Sequence, residues 1–437
     1  MATNHSLALL FAAATLAFSA APALAQDTPV TLEAILEAVV EGNPALEAAR
    51  LEADARSTHR DQVEALPDPT AGMTYQPFPI LTARGSQRSQ WRIEQMIPYP
   101  GKRRLQGDVA ELGAVVARHE AGALEADLIL EAKVAYFELY LTGKVTELTR
   151  AFQEELRGFE EAATVRYEVG QGLQQSILKA QLERNRLSQR LIELEARRRS
   201  AAETLARLTN APGGVKHFDT AELSPPPVPE VQIDRLVEVS ASERAEAAAL
   251  DAAQARAAGQ IALARKQFLP DFGVSVTYFD MASADMPSTA NGRDAIAVGA
   301  SVRLPLQRGR IRAQLQEAEI RARQIEARRE ALHVDIETHL QDLLFALEQE
   351  RAVLDLYDET LLPQAASTME ATLSAYSTGS TDFIDLLDAE RTIYAMRTGR
   401  VQAVHRYLKT AARLERELGI RSLEELDLLT VQREEIG

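Results

Sequence analysis

The chain has 437 residues, 46% of them hydrophobic and 26% charged, with aromatics at 5% and Gly plus Pro near 9%. That is poor in turn formers for an all-β protein and typical of long helices. Its 48 basic residues against 64 acidic ones leave a net charge of −16, which argues against nucleic acid as a partner, since displacing counterions needs a basic surface. Cysteine is absent. This excludes disulfide scaffolds, thiolate-held metals, thiol catalysis and a lipidated N-terminal Cys.

Residues 1–25 read as a signal peptide. The run from Leu7 to Ala25 is apolar and ends in Ala23-Leu24-Ala25 before Gln26, a small-x-small cleavage pattern. The Met1–Ser6 segment before it carries no Lys or Arg. No later stretch of about 18 residues is free of charge, so a membrane location would have to be reached without a helix.

The remainder repeats itself. Pro67 and Pro270, in the sequences Leu66-Pro-Asp68 and Leu269-Pro-Asp271, are 203 apart, as are Tyr75 and Tyr278. Pro98-Tyr-Pro-Gly101-Lys-Arg-Arg104 answers Pro305-Leu-Gln-Arg-Gly309-Arg-Ile-Arg312 at 207 to 208, and Tyr167-Glu-Val-Gly170 answers Tyr376-Ser-Thr-Gly379 at 209. Small loop insertions in a tandem duplication produce such a drift. The expected organisation is a first repeat over 26–223, a Pro-rich connector over 224–230, a second repeat over 231–420 and a tail over 421–437.

Each repeat opens with a helix-like stretch, 31–66 or 231–268, stopped by a proline. Two alternating segments follow. In the second repeat Phe272, Val274, Val276 and Tyr278, then Ile296, Val298, Ala300, Val302 and Leu304, alternate with small or polar residues. The first repeat has Met73 and Tyr75, then Trp91 and Ile93. Period two gives one apolar and one polar face, and strands of about nine to eleven residues suit a tilted membrane crossing. Trp91 and Tyr278 suit a membrane-interface belt. Long helical patterns come next, from Lys102 to Tyr167 and from Arg310 to Tyr376, with a kink expected at Pro363. Gly170, Gly172 and Gly379 mark the tips where each turns back into a return helix.

Four amphipathic strands cannot close a barrel, and open sheet edges do not survive in lipid. Strands that span a membrane must therefore be pooled, and three chains would supply an even set of twelve. The fold class expected is mainly α with membrane β. Long coiled-coil hairpins would form a periplasmic tunnel below a trimeric barrel.

These features together are similar to the TolC family of outer-membrane efflux factors. The resemblance rests on the duplication, the junctions at Ile97-Pro98 to Gly101 and Leu304-Pro305 to Gly309, and the tip Tyr376-Ser-Thr-Gly379-Ser-Thr-Asp-Phe-Ile-Asp385-Leu-Leu-Asp388. It implies a homotrimer in outer-membrane lipid, extending into the periplasm of a Gram-negative cell. Its tip would meet a periplasmic adaptor and, through it, an inner-membrane pump. It also implies that Asp385 and Asp388 constrict the closed channel. Three apart, they share a helix face, and six such carboxylates in a trimer would favour cations. A plainer role is as acids suited to a helix N-terminus.

Two latch positions of the family are changed: Thr381 stands where a basic residue is usual and Ser176 where an acid is usual, while Tyr376 is kept. Closure is expected to use Tyr376, Thr381, Gln175 or Ser176 as hydrogen-bonding groups instead. The junction Gln95-Met-Ile-Pro98-Tyr-Pro100-Gly101 resembles a form common in heavy-metal cation efflux, tilting the cargo towards metal ions. No cofactor, catalytic group or resident metal is implied. His333 and His339 are six apart, without the spacing that brings two ligands to one metal. The alternatives are a type I protein secretion conduit of the same fold and a soluble periplasmic coiled-coil adaptor or structural protein.

Overall fold

A computed structural model describes residues 30–170, 172–211, 220–287 and 289–426. The signal-peptide reading and the end of the tail lie outside the described residues. The elements run α1 (Leu32–Gly42), α2 (Pro44–Ser57), α3 (His59–Glu64), β1 (Thr70–Thr82), β2 (Gly85–Ile97), α4 (Lys102–Glu168) and α5 (Gln174–Leu208). There follow α6 (Ile233–Glu243), α7 (Ala245–Lys266), β3 (Asp271–Ala282), β4 (Ala295–Arg303), α8 (Arg308–Leu356), a π-helical turn (Tyr357–Leu361), α9 (Leu362–Ser377) and α10 (Phe383–Leu418). Short helices, two strands, a long helix and a return helix thus occur twice.

The opening stretches are broken rather than continuous. Asn43 is extended, accepts the N–H groups of Ala45 and Leu46 on its side chain, and starts α2 with Pro44 in the first turn. In the second unit Arg244 is extended between α6 and α7. The expected kink at Pro363 takes the form of the π-helical turn just before it, where the N–H of Leu362 reaches back to the carbonyl of Tyr357. A proline that cannot donate is absorbed by the wider turn.

All four strands form one antiparallel sheet in the order β1-β2-β3-β4. Three of the strands are longer than expected, at 13, 13 and 12 residues, and β4 has nine. The register aligns Met73, Trp91, Tyr278 and Ile296 in one row, and Ala71, Ile93, Val276 and Val298 in the next. Period two puts these rows on the same face. That face is bare: Ile93 is 60% and Val298 81% exposed. The opposite face carries Gly72, Arg92, Thr277 and Ala297 in one row and Glu94, Ser275 and Gly299 in another. The outer edges of β1 and β4 lack a strand partner among the described residues.

The main core lies around the middle of α4 and the ends of α5 and α10, where Tyr136, Leu205, Leu236, Leu340, Tyr407 and Leu418 are fully buried. The Tyr136 and Tyr407 hydroxyls donate to the carbonyls of Val30 and Pro226 at 2.7 and 2.6 Å, so neither polar tip is left unmade. Lys133 lies 2.6 Å from Glu415 in this region, and both are nearly buried. Burial nevertheless holds the Glu415 carboxyl above its ordinary range, because desolvation outweighs the pull of Lys133.

Candidate functional site: the hairpin tips

Two loops far from the sheet make the tip. In the first, α4 ends at Glu168 and Gly170 takes φ +75°, a conformation that favours glycine. A Cβ on Gly172 would stand 3.0 Å from the backbone nitrogen of Tyr167, so the turn is also tight there. In the second, Gly379 takes φ +77°, and the N–H groups of Gly379 and Ser380 return to the carbonyls of Tyr376 and Ala375. These bonds satisfy the helix end before α10 starts.

α10 is fixed by what it buries. Phe383, Leu386 and Leu387 point inward, and Phe383 and Leu387 pack with Phe152, Leu156, Ala180 and Leu187 of the first hairpin. Asp385 and Asp388 are consequently exposed, at the first two turns of α10. Neither forms an ion pair among the described residues. Asp385 Oδ2 accepts the Thr381 hydroxyl at 2.5 Å. Each copy thus presents two uncompensated carboxylates on one helix face.

The four latch positions are not joined to one another within the chain. Thr381, in the tip loop ahead of α10, donates to Asp385 in the first turn of that helix, Gln175 is exposed, and Ser176 lines a cleft of about 360 Å³ between the hairpins with Leu173, Tyr376, Thr381, Phe383 and Ile384. The group that crosses between hairpins is Arg166. Its guanidinium carbon lies 4.4 Å above the centre of the Tyr376 ring, and Nη2 donates to the Tyr376 carbonyl at 3.4 Å. The Tyr376 ring also meets Phe383 edge-on. A cation over an aromatic face is worth about 0.5–1 kcal/mol when exposed. Nearby, Arg391 pairs with Glu183, a second tie between the hairpins.

Two residues beyond Asp388, Glu390 is buried among the packed helices. The Tyr394 ring stacks on Phe152 at 4.9 Å and its hydroxyl lies 2.8 Å from that of Thr149, so this face of α10 is pressed on α4. Burial, and then the facing Glu155 carboxylate, push Glu390 up to about 7. Sequence reasoning passed over Arg166 and Glu390, since neither sits in a motif.

At the other end of α4, Lys102 is buried and its ammonium lies 2.8 Å from Asp271 and 3.0 Å from the Leu269 carbonyl. Asp271 also accepts the Tyr99 N–H at 2.9 Å. A Cβ on Gly101, at φ +82°, would come 2.6 Å from the Lys266 nitrogen, which donates to the Pro100 carbonyl. The Pro-Tyr-Pro-Gly-Lys junction is therefore a strand-to-helix joint closed by the first strand of the second unit. Among the described residues no three or more His, Asp or Glu side chains converge as a metal site. No described helix is long and apolar enough to cross a membrane.

The outer membrane efflux protein family model matches residues 236–420, most of the second unit. The cobalt-zinc-cadmium resistance protein CzcC of Cupriavidus metallidurans is 24% identical over 402 residues, 90% of each chain. The second unit of the chain thus resembles outer membrane efflux proteins, and the chain as a whole is similar to CzcC. The fold of the chain is shared by two solved channel proteins. CusC superposes with a TM-score of 0.74 at 15% identity, over 91% of this chain and 96% of that one. The outer membrane protein VceC of Vibrio cholerae gives 0.71 at 20%, over 89% and 96%. The similarity to outer membrane efflux proteins agrees with the expected outer-membrane location. The bare apolar face of the sheet is the one suited to lipid, and the face holding Arg92 and Glu94 is the polar one.

Proposed function

We propose that three copies form a passive duct that carries heavy-metal cations from a periplasm-spanning pump to the outside. The observation that carries this reading is the four-stranded sheet, apolar and bare on one face, polar on the other and open at both edges. Exposed apolar rows suit lipid, and open edges demand closure by further strands. The 67 residues of α4 would extend such a barrel by about 100 Å at ~1.5 Å per residue. That reach supports docking of the tip on an adaptor and, through it, on an inner-membrane pump.

Asp385 and Asp388 act as the gate. Brought together around an axis, their carboxylates would attract cations and hold back anions. Cation cargo fits that ring, and the resemblance to a cobalt-zinc-cadmium resistance protein supports metal ions as the cations. Arg166, seated on Tyr376, holds the tip closed in place of the family ion pair.

Planar-bilayer conductance of the purified mature protein tests this reading. Wild type should give discrete, cation-selective steps that multivalent cations block. Asp385→Ala/Asp388→Ala should lose the block and at least tenfold in sensitivity to it. Tyr376→Phe should keep the closed state because the ring is retained, whereas Arg166→Ala should raise basal conductance. Absence of conductance from well-folded protein would overturn the duct.

A further inference from the structure

The duplication makes the chain its own template for the contact between copies. Within one chain β2, the second strand of the first unit, pairs with β3, the first strand of the second unit. That pairing sets Ile97 opposite Phe272, Ile93 opposite Val276 and Trp91 opposite Tyr278. The two strands left open are β4, the second strand of the second unit, and β1, the first strand of the first. A closed ring of copies must join these two, and the repeat says how. Pro98 corresponds to Pro305, while Pro67 and Tyr75 correspond to Pro270 and Tyr278. Carried over by these offsets, the β2–β3 register becomes Val302 opposite Ala71, Ala300 opposite Met73 and Val298 opposite Tyr75.

Two observations that did not enter the alignment agree. The first is the facing of side chains. Val298, Ala300 and Val302 lie on the same face of the sheet as Ala71, Met73 and Tyr75, by the rows that β2 and β3 connect. A slip of one residue would set lipid-facing positions against luminal ones. The transferred register keeps every pair on one face, with Gly299 beside Thr74 and Ser301 beside Gly72 on the other.

The second is charge at the strand-to-helix joint. Asp271 closes the first joint by holding Lys102 and the Tyr99 N–H. Its counterpart in the repeat is Asp68, which is exposed and makes no ion pair among the described residues. The second joint leads into α8 through Arg308 and Arg310, which are likewise exposed and unpaired among the described residues. The carboxylate and the guanidinium groups that would close a second such joint therefore sit at the two outer edges of one sheet, at the same level.

We propose that β4 of one copy pairs with β1 of the next with Ala300 opposite Met73, and that Asp68 closes the seam by accepting from the arginines of the first turn of α8. The occupant of the open edge is a second copy of this chain, and the proposal rests on the duct reading. It also accounts for a bare stripe on α8. Within the chain α4 is covered by α7 of the following unit. The same step carried past the second unit brings α2 of the next copy onto α8, where Ile320 and Val334 are exposed, as is Leu51 of α2.

The native chain has no cysteine, so disulfide crosslinking reads the register directly. β1 and β4 of one chain are three strand spacings apart, about 14 Å, beyond the reach of a disulfide. Met73→Cys/Ala300→Cys, expressed at full length in the outer membrane and oxidised, should therefore yield a covalent trimer on a denaturing gel. Each single variant should stay monomeric on that gel. Ala71→Cys/Ala300→Cys and Tyr75→Cys/Ala300→Cys, shifted by two residues on the same face, should crosslink at least fivefold less. A shifted pair that crosslinks as well would overturn the register and leave the duct standing. Absence of crosslinking in all three, in variants that conduct as wild type does, would overturn the seam alone. Folded variants that neither conduct nor crosslink, beside wild type that does not conduct, would sink the duct reading with it. For the joint, Asp68→Lys should lower the temperature at which the trimer dissociates in detergent. Adding Arg308→Glu/Arg310→Glu should restore it. An unchanged temperature in Asp68→Lys removes the ion pair from the proposal.

Discussion

α4 lies against α5, α7, α10 and the short helices before β1, and it buries side chains from Lys102 to Ala163. α8 holds the same place in its own unit, but among the described residues it packs mainly on α6, α7, α10 and the π-helical turn that continues it. It leaves Ile320, Val334 and Phe345 exposed, at spacings of 14 and 11 that keep them on one face. The two rods also differ in continuity. α4 runs unbroken for 67 residues, whereas α8 gives way to the π-helical turn after 49. One repeated pattern has thus been put to two uses, an internal rod and an interface rod. An apolar stripe on a helix is a core only when a neighbour covers it. For α8 the proposed seam supplies that neighbour from another copy.

The comparison can be broken at its strongest point first. If α4 anchors the core, Lys133→Met should cost about 3–5 kcal/mol, because it strands the Glu415 carboxylate in a buried site. Urea unfolding of the detergent-solubilised protein measures this, and a loss below about 1 kcal/mol would deny α4 that role.

The contact between α4 and α10 should depend on pH through Glu390. Its pKa is raised by burial and by Glu155, so the stability it contributes is full below the ordinary carboxylate value near 4.5 and lost as pH rises through about 7. Of the other charged groups nearby, Arg397 lies two turns along α10. Glu183 of α5 is engaged by Arg391 of α10. Wild type should lose on the order of 2–3 kcal/mol across that window, and Glu390→Gln should flatten the profile. Equal slopes in both would refute the buried-carboxyl account.

Glycines separate the rods on a smaller scale. A Cβ at Gly399 of α10 would come 2.4 Å from the Tyr357 hydroxyl at the π-helical turn, while Gly158 of α4 has nothing within 4 Å. Gly399→Ala should destabilise by about 1–2 kcal/mol through overpacking. Gly158→Ala should stabilise by about 0.5–1 kcal/mol through helix propensity. Opposite signs in thermal unfolding are the expected outcome. Smallest of all is Asp358→Asn, which opens the Arg400 pair beside that turn. Both partners are about half exposed, so the loss should stay under about 1 kcal/mol and shrink with salt.

Much of this architecture is written locally. Alternation in Phe272–Tyr278 and Ile296–Leu304 gives the bare apolar face, because period two is a property of the strand itself. Gly170 and Gly379 give the tips, and the offsets between repeats give the element order. The Asn43-Pro44 start signal was also readable, and the long apolar period around it hid it. The break at Arg244 had no local sign. Gly419 packs against it, and an added Cβ there would fall 2.8 Å from the Arg244 Cα. At the tip, Asp385 and Asp388 stand out by spacing, but Arg166 reaches a Tyr376 that is 210 positions away. Lys102 meets Asp271 at 169. Contacts of that separation are decided by packing, and one sequence does not reveal them.

The claim on which the rest depends is that one chain makes a third of a barrel. Native mass measurement of the mature protein, extracted from the outer membrane in mild detergent, addresses it directly. The expected result is a single species of three chains that keeps its helical content. A folded, purely monomeric species at the same concentration would contradict it.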